Sequence, residues 1–140
     1  MHLTSLTMTA VERSLDGLAA RQAAISHNIA NISTPGYVKR EVDFEASLLA
    51  ALDEAHQPPS AAHTFLQADG APVTSLHNDP LLTWQPVTSQ SADGPQRLDG
   101  NRVSIEKEMS AVAANAGKYN AVAAVIAKDF QLLRTIAQSK

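Results

Sequence analysis

The placing of proline limits this chain more than any other feature. Six of its seven prolines (Pro58, Pro59, Pro72, Pro80, Pro86 and Pro95) fall within residues 56–100, and the seventh is Pro35. Residues 1–34 and 101–140 contain none. A proline inside a helix removes a hydrogen bond and clashes with the preceding turn. Long helices are therefore allowed at both ends and excluded from the middle. With 140 residues the chain is one ordinary domain. It divides into an N-terminal helix with its turn entry (1–34), a turn, extended piece and short helix (35–55), a Pro-rich irregular segment (56–100) and a C-terminal helix (101–140).

Steps of four and three from Ile105 give Met109, Val112, Ala116, Tyr119, Ala123, Ile126, Phe130, Leu133 and Ala137, all apolar or aromatic. This 3.5-residue repeat is the pattern of a helix facing a long partner in a left-handed supercoil. Ser104 is the predicted N-cap, and Glu106 and Glu108 suit the first turn of the helix dipole. A helix over 104–138 would be about 50 Å long. Gly117 is its weak point, costing roughly 1 kcal/mol relative to Ala.

The N-terminal zone supplies a partner. The same stepping picks out Thr4, Met8, Val11, Leu15, Leu18, Gln22, Ile25, Ile29 and Ile32. Thr9-Ala10-Val11-Glu12 fits a capping box, so this helix is expected to begin at Thr9 or one turn earlier. Gln22 interrupts the stripe, either to fix register as a buried polar residue or to reach solvent at the seam edge. The fold class is mainly α, with the two terminal helices paired as a coiled-coil-like hairpin. The expected seam is Val11, Leu15, Leu18, Gln22, Ile25 and Ile29 against Met109, Val112, Tyr119, Ile126, Phe130 and Leu133. Because each stripe needs its partner, the ends are expected to be partly disordered before assembly.

The first helix must stop near residue 32. Thr34 precedes Pro35 and is pushed out of the helical region. Pro35-Gly36 fits the central positions of a type II turn. Val38, Val42 and Phe44 then suggest an extended piece, and Glu45–Ala55 a short helix with Leu48, Leu49 and Leu52 on one face. Residues 56–100 read as a long surface segment, whose main large apolar groups are Phe65, Leu66, Leu81, Leu82 and Trp84.

The chemistry of enzymes is hard to find here. Cysteine is absent, which removes disulfides, thiolate metal sites and cysteine nucleophiles. His2, His27, His56, His63 and His77 include no i, i+4 pair of the kind that holds a metal on a helix. Glu41, Asp43 and Glu45 alternate and read as a solvated face. No phosphate-binding loop or nucleophile elbow occurs. A net charge of −3 argues against nucleic acid, and no apolar run reaches membrane-spanning length. No cofactor, metal or catalytic residue is predicted. The N-terminus lacks the features of a cleaved secretory signal. Eight alanines between Ser110 and Ala127 give a helix with small apolar surface nearly all round, which favours assembly over a solitary monomer.

One run resembles a known family. Ser26-His27-Asn28-Ile29-Ala30-Asn31-Ile32-Ser33-Thr34-Pro35-Gly36-Tyr37 is similar to the N-terminal signature of flagellar axial proteins, the rod, hook and hook-associated subunits. Val42-Asp43-Phe44-Glu45 resembles the proximal-rod version. Asp99-Gly100-Asn101-Arg102-Val103-Ser104-Ile105-Glu106-Lys107-Glu108-Met109 resembles the matching C-terminal signature, with Lys118-Tyr119 following. The resemblance covers both ends and leaves 56–100 largely unmatched. It implies a structural subunit of the proximal rod of the bacterial flagellar basal body. Such a subunit assembles helically through its terminal helices, transmits torque, and is exported by the flagellar type III apparatus without a cleaved signal peptide. The implied partners are other copies, other rod subunits, the adaptor FliE, the membrane-ring protein and the export apparatus. Asn28, Asn31, Thr34, Pro35, Gly36 and Tyr37 would orient the chain leaving the inner helix. The alternatives are another small rod subunit, a cytoplasmic helical-hairpin adaptor, or a small hydrolase using a histidine and a carboxylate.

Overall fold

The computed structural model describes residues 2–56, 65–66, 72–73, 80–91, 98 and 100–138. The elements in chain order are α1 (His2–Ala30), β1 (Lys39–Val42), α2 (Glu45–His56), β2 (Phe65–Leu66), β3 (Pro72–Val73), α3 (Pro80–Thr83), β4 (Thr88–Ser91) and α4 (Ile105–Gln138). The protein is mainly helical, and the two long helices stand at its ends. Helix α1 begins at His2, nearly two turns before Thr9, so the capping box does not set its start. Helix α4 runs 34 residues, about 51 Å at 1.5 Å per residue, and continues through Gly117. Ser104 sits in the N-cap position, its carbonyl accepting from the Glu108 amide at 3.0 Å.

Helix α1 closes in a chain of turns. The Asn31 side chain donates to the His27 carbonyl at 2.9 Å, and the Thr34 amide to the Asn31 carbonyl at 3.0 Å. The Tyr37 amide then donates to the Thr34 carbonyl at 3.3 Å, with Gly36 at φ +70°. Pro35 followed by a positive-φ glycine is the geometry of a type II turn. The chain emerges extended as β1, which pairs antiparallel with β4, Lys39 opposite Ser91 and Val42 opposite Thr88. β2 and β3 form a second, two-residue antiparallel pair.

The main core does not lie in the helix–helix seam. Leu18 of α1, Val42 and Phe44 after the turn, Leu48 and Ala51 of α2, and Leu81 and Trp84 of the Pro-rich segment pack together. Residues 80–91 are thus no mere surface stretch. Leu81 is fully buried, and the Trp84 ring meets Phe44 edge-on at 6.2 Å. Trp84 Nε1 donates to Ser47 Oγ at 3.2 Å, which satisfies its polar end. Phe44 can lie this close to α1 because Gly17 has no side chain; a Cβ there would overlap the ring. Arg13 Nε donates to the Leu81 carbonyl at 2.9 Å and so ties α3 to α1.

Candidate functional site

The two signature segments meet where α1 ends and α4 begins, and Asn28 is the centre of the junction. Its Nδ2 donates to the Arg40 carbonyl at 2.8 Å and to Glu108 Oε2 at 3.1 Å. Its Oδ1 accepts from the Arg40 amide at 2.8 Å and from Tyr37 Oη at 3.1 Å. All the hydrogen-bonding capacity of this buried amide is used. Glu108, itself buried, also accepts a contact from Lys39 Nζ at 3.3 Å, and Lys39 reaches Glu41 at 2.6 Å. Burial pushes the Lys39 ammonium down, but the hydrogen bond to Glu41 and the charge of Glu108 outweigh it, so its pKa is raised. The hydrogen bond from Lys39 in turn holds the Glu41 carboxyl below its ordinary value.

Asn101, just ahead of α4, grips the turn from the other side. Its Nδ2 lies 3.1, 2.9 and 3.1 Å from the carbonyls of Asn31, Ile32 and Thr34. Its Oδ1 accepts from the Val103 amide at 2.8 Å. These bonds fall on carbonyls of the turn beyond α1, two of which, Asn31 and Thr34, also accept backbone amides, and they fix where α4 starts. Further along, Asn115 Nδ2 donates to the Leu18 carbonyl and to Gln22 Oε1, both at 3.0 Å. Glu108 beside Asn28 and Asn115 beside Leu18 and Gln22 set the helices antiparallel and in register. Gln22 is half-buried, and its side-chain oxygen accepts the Asn115 bond across the seam.

The predicted seam residues divide into two groups. On α1, Leu18 and Ile25 are buried, while Val11, Leu15, Gln22 and Ile29 are half-buried. On α4, Val112 and Ile126 are half-buried. Met109, Tyr119, Phe130 and Leu133 are instead exposed, at 57, 42, 57 and 56%. The face that α4 turns to α1 is rotated by one residue from the all-apolar stripe. Glu108 and Asn115 occupy the inward heptad positions and Val122 packs on the core. A pattern that counts only apolar residues cannot see a buried Glu or Asn. The available signal was Glu108 itself, inside the C-terminal signature run. In the turn, Asn28 is buried, Asn31 and Tyr37 are half-buried, and Thr34, Pro35 and Gly36 are exposed.

A second cluster joins α1, α2 and α4. Both oxygens of Glu45 accept from the Arg21 guanidinium, whose Nε donates to the Val42 carbonyl at 2.9 Å. Arg21 lies 4.7 Å from the centre of the Phe44 ring, a cation–π contact. Lys118 of α4 reaches Glu45 at 3.2 Å. Hydrogen bonding from Arg21 lowers the Glu45 pKa to about 2, and the same bond raises that of Arg21. These groups are fully engaged in holding elements together. His27 and His56 are exposed; His63 and His77, and the His2 side chain, lie outside the described residues. Among the described residues no group of three or more His, Cys, Asp or Glu is placed to hold a metal, and no helix is long and apolar enough to cross a membrane.

A family profile described as flagella basal body rod protein matches residues 13–37, the second half of α1 and the turn. Similarity to individual proteins extends much further. The chain is 28% identical to the flagellar basal body rod protein FlgB of Yersinia enterocolitica over 131 residues, covering 91% of this chain and 90% of that one. It is 29% identical to FlgB of Salmonella typhimurium over 133 residues, covering 91 and 89%. It is 28% identical to FlgB of Bacillus subtilis over 137 residues, covering 97 and 96%. The similarity thus embraces both helices, the turn and the middle segment that the signatures left unmatched.

Proposed function

We propose that this chain is a structural subunit of the proximal rod of a bacterial flagellar basal body. The observation that carries the reading is the interlock of the two signature segments: Asn101 binds carbonyls of the turn, and Asn28 binds both the Arg40 backbone in β1 and the Glu108 side chain. End-to-end similarity to proteins named FlgB favours the proximal-rod reading over another small rod subunit of the FlgC kind and over a soluble adaptor. The work is mechanical. The α1–α4 pair forms a stiff rod of secondary structure, and the turn with β1 and α2 braces its open end. Chains packed side by side through their remaining helix faces build a wall that passes torque, with other rod subunits above and the adaptor FliE and membrane-ring protein at the base. Export through the flagellar type III apparatus without signal cleavage belongs to the same reading.

The seam and turn take named roles. Leu18, Ile25, Val112 and Ile126 hold the pair together, while the exposed Met109, Tyr119, Phe130 and Leu133 face neighbouring subunits. An epitope-tagged chain should co-purify with basal bodies, and Ile126→Asp should abolish its incorporation and motility. A tagged chain that stays in the soluble fraction of flagellated cells, or normal motility with Ile126→Asp, would contradict the proposal.

A further inference from the structure

Helix α4 carries large apolar side chains that stand exposed among the described residues. The register set at Asn28–Glu108 brings Phe130 level with the first turns of α1, and the last turn of α4 runs past α1's start at His2. There Phe130, Leu132, Leu133 and Ile136 are all more than half exposed. A second apolar surface lies elsewhere on the chain, as an open groove between α1 and α2. Ala10, Val11, Leu48, Leu49 and Leu52 line it, Phe44 forms part of its floor and Glu45 stands at its rim. Within one chain α4 approaches α2 through Lys118 and Glu45, well before that apolar end.

We propose that the apolar end of α4 in one copy seats in the α1–α2 groove of the next copy. The proposal rests on the rod-subunit reading and names the contact by which that assembly grows. Charge selects the pairing. Helix α2 carries the exposed Asp53 and Glu54 with no Lys or Arg, its Glu45 being paired already with Arg21 and Lys118, whereas the end of α4 brings Lys128 and Arg134 against one acid, Asp129. The two patches differ and lie on different parts of the chain, so the contact is head-to-tail. Repetition of such a contact yields a ring or an open helix rather than a closed two-fold dimer.

The chain contains no cysteine, so a disulfide can report the contact cleanly. Two differently tagged full-length copies, one Leu49→Cys and the other Leu133→Cys, are expressed together and their basal bodies isolated and mildly oxidised. A heterodimer band at least tenfold stronger than that from Leu49→Cys with the exposed α4 control Ala113→Cys is expected. Rods that contain both copies yet give equal or no linkage, or in which Leu49→Cys bonds to a different rod protein, overturn the proposal. If neither copy enters basal bodies, the rod-subunit reading fails. The same oxidation of the concentrated purified chains then decides the contact by itself, a selective band supporting it and none overturning it.

Discussion

Asn28 and Glu108 stand 80 positions apart in the chain and meet at 3.1 Å, each with its side chain buried. One hydrogen bond thereby joins the two signature segments, and it does so inside the protein, where an unmet partner is costly. Replacing Asn28 with Ala would strand the Arg40 amide and leave the buried Glu108 carboxylate with Lys39 alone. A loss of about 3 kcal/mol follows. Glu108→Gln keeps an acceptor for Asn28 and should cost about 1 kcal/mol. Urea denaturation of the purified variants checks both the size and the order.

Gly17 and Phe44 predict a steric dependence. A methyl group at 17 would overlap the Phe44 ring, which is buried among Leu18, Leu48 and Trp84. Gly17→Ala should therefore destabilise by about 1–3 kcal/mol despite its better helix propensity. Pairing it with Phe44→Leu should cost less than the two single changes added together. Additive losses in thermal unfolding would show that the contact is not the cause.

The Glu45 cluster predicts a pH dependence. Its folded pKa of about 2 lies below the ordinary 4.5, so its contribution is complete above the unfolded value and is lost as pH falls from about 5 toward 2. Glu45 is 47% exposed, so solvent screening holds the effect to about 1 kcal/mol. Glu45→Gln should flatten the stability profile over that window and change little at its acid end.

Asn115 predicts a gain. Its Oδ1 is buried with no hydrogen-bond partner, a cost tolerated while Nδ2 ties Leu18 and Gln22. Replacing Asn115 and Gln22 together with Leu should raise stability by about 1 kcal/mol or more, because well-packed apolar residues often outdo imperfect buried polar ones. It should also loosen register. Rod assembly by the double variant should fall even as its melting temperature rises.

The helices, the turn and the extended piece were legible in the sequence because each rests on local signals. Proline exclusion, the 3.5-residue repeat and Pro35-Gly36 act within a few residues of themselves. The inner face of α4 was not legible, because the partners that Glu108 and Asn115 meet, Lys39, Asn28, Leu18 and Gln22, lie far away in the chain, Leu18 being 97 positions from Asn115. The core role of Leu81 and Trp84 was hidden for the same reason. A short helix in a Pro-rich stretch has no periodicity, and the contacts with Arg13, Phe44 and Ser47 reveal where it docks.

Cryo-electron microscopy of isolated basal bodies tests the central claim most directly. Rod density should hold this chain with α1 and α4 side by side, Asn28 against Glu108, and Leu15 and Leu18 turned toward α4. A rod without this chain, or one in which Leu18 lies far from α4 and faces solvent, would contradict the account.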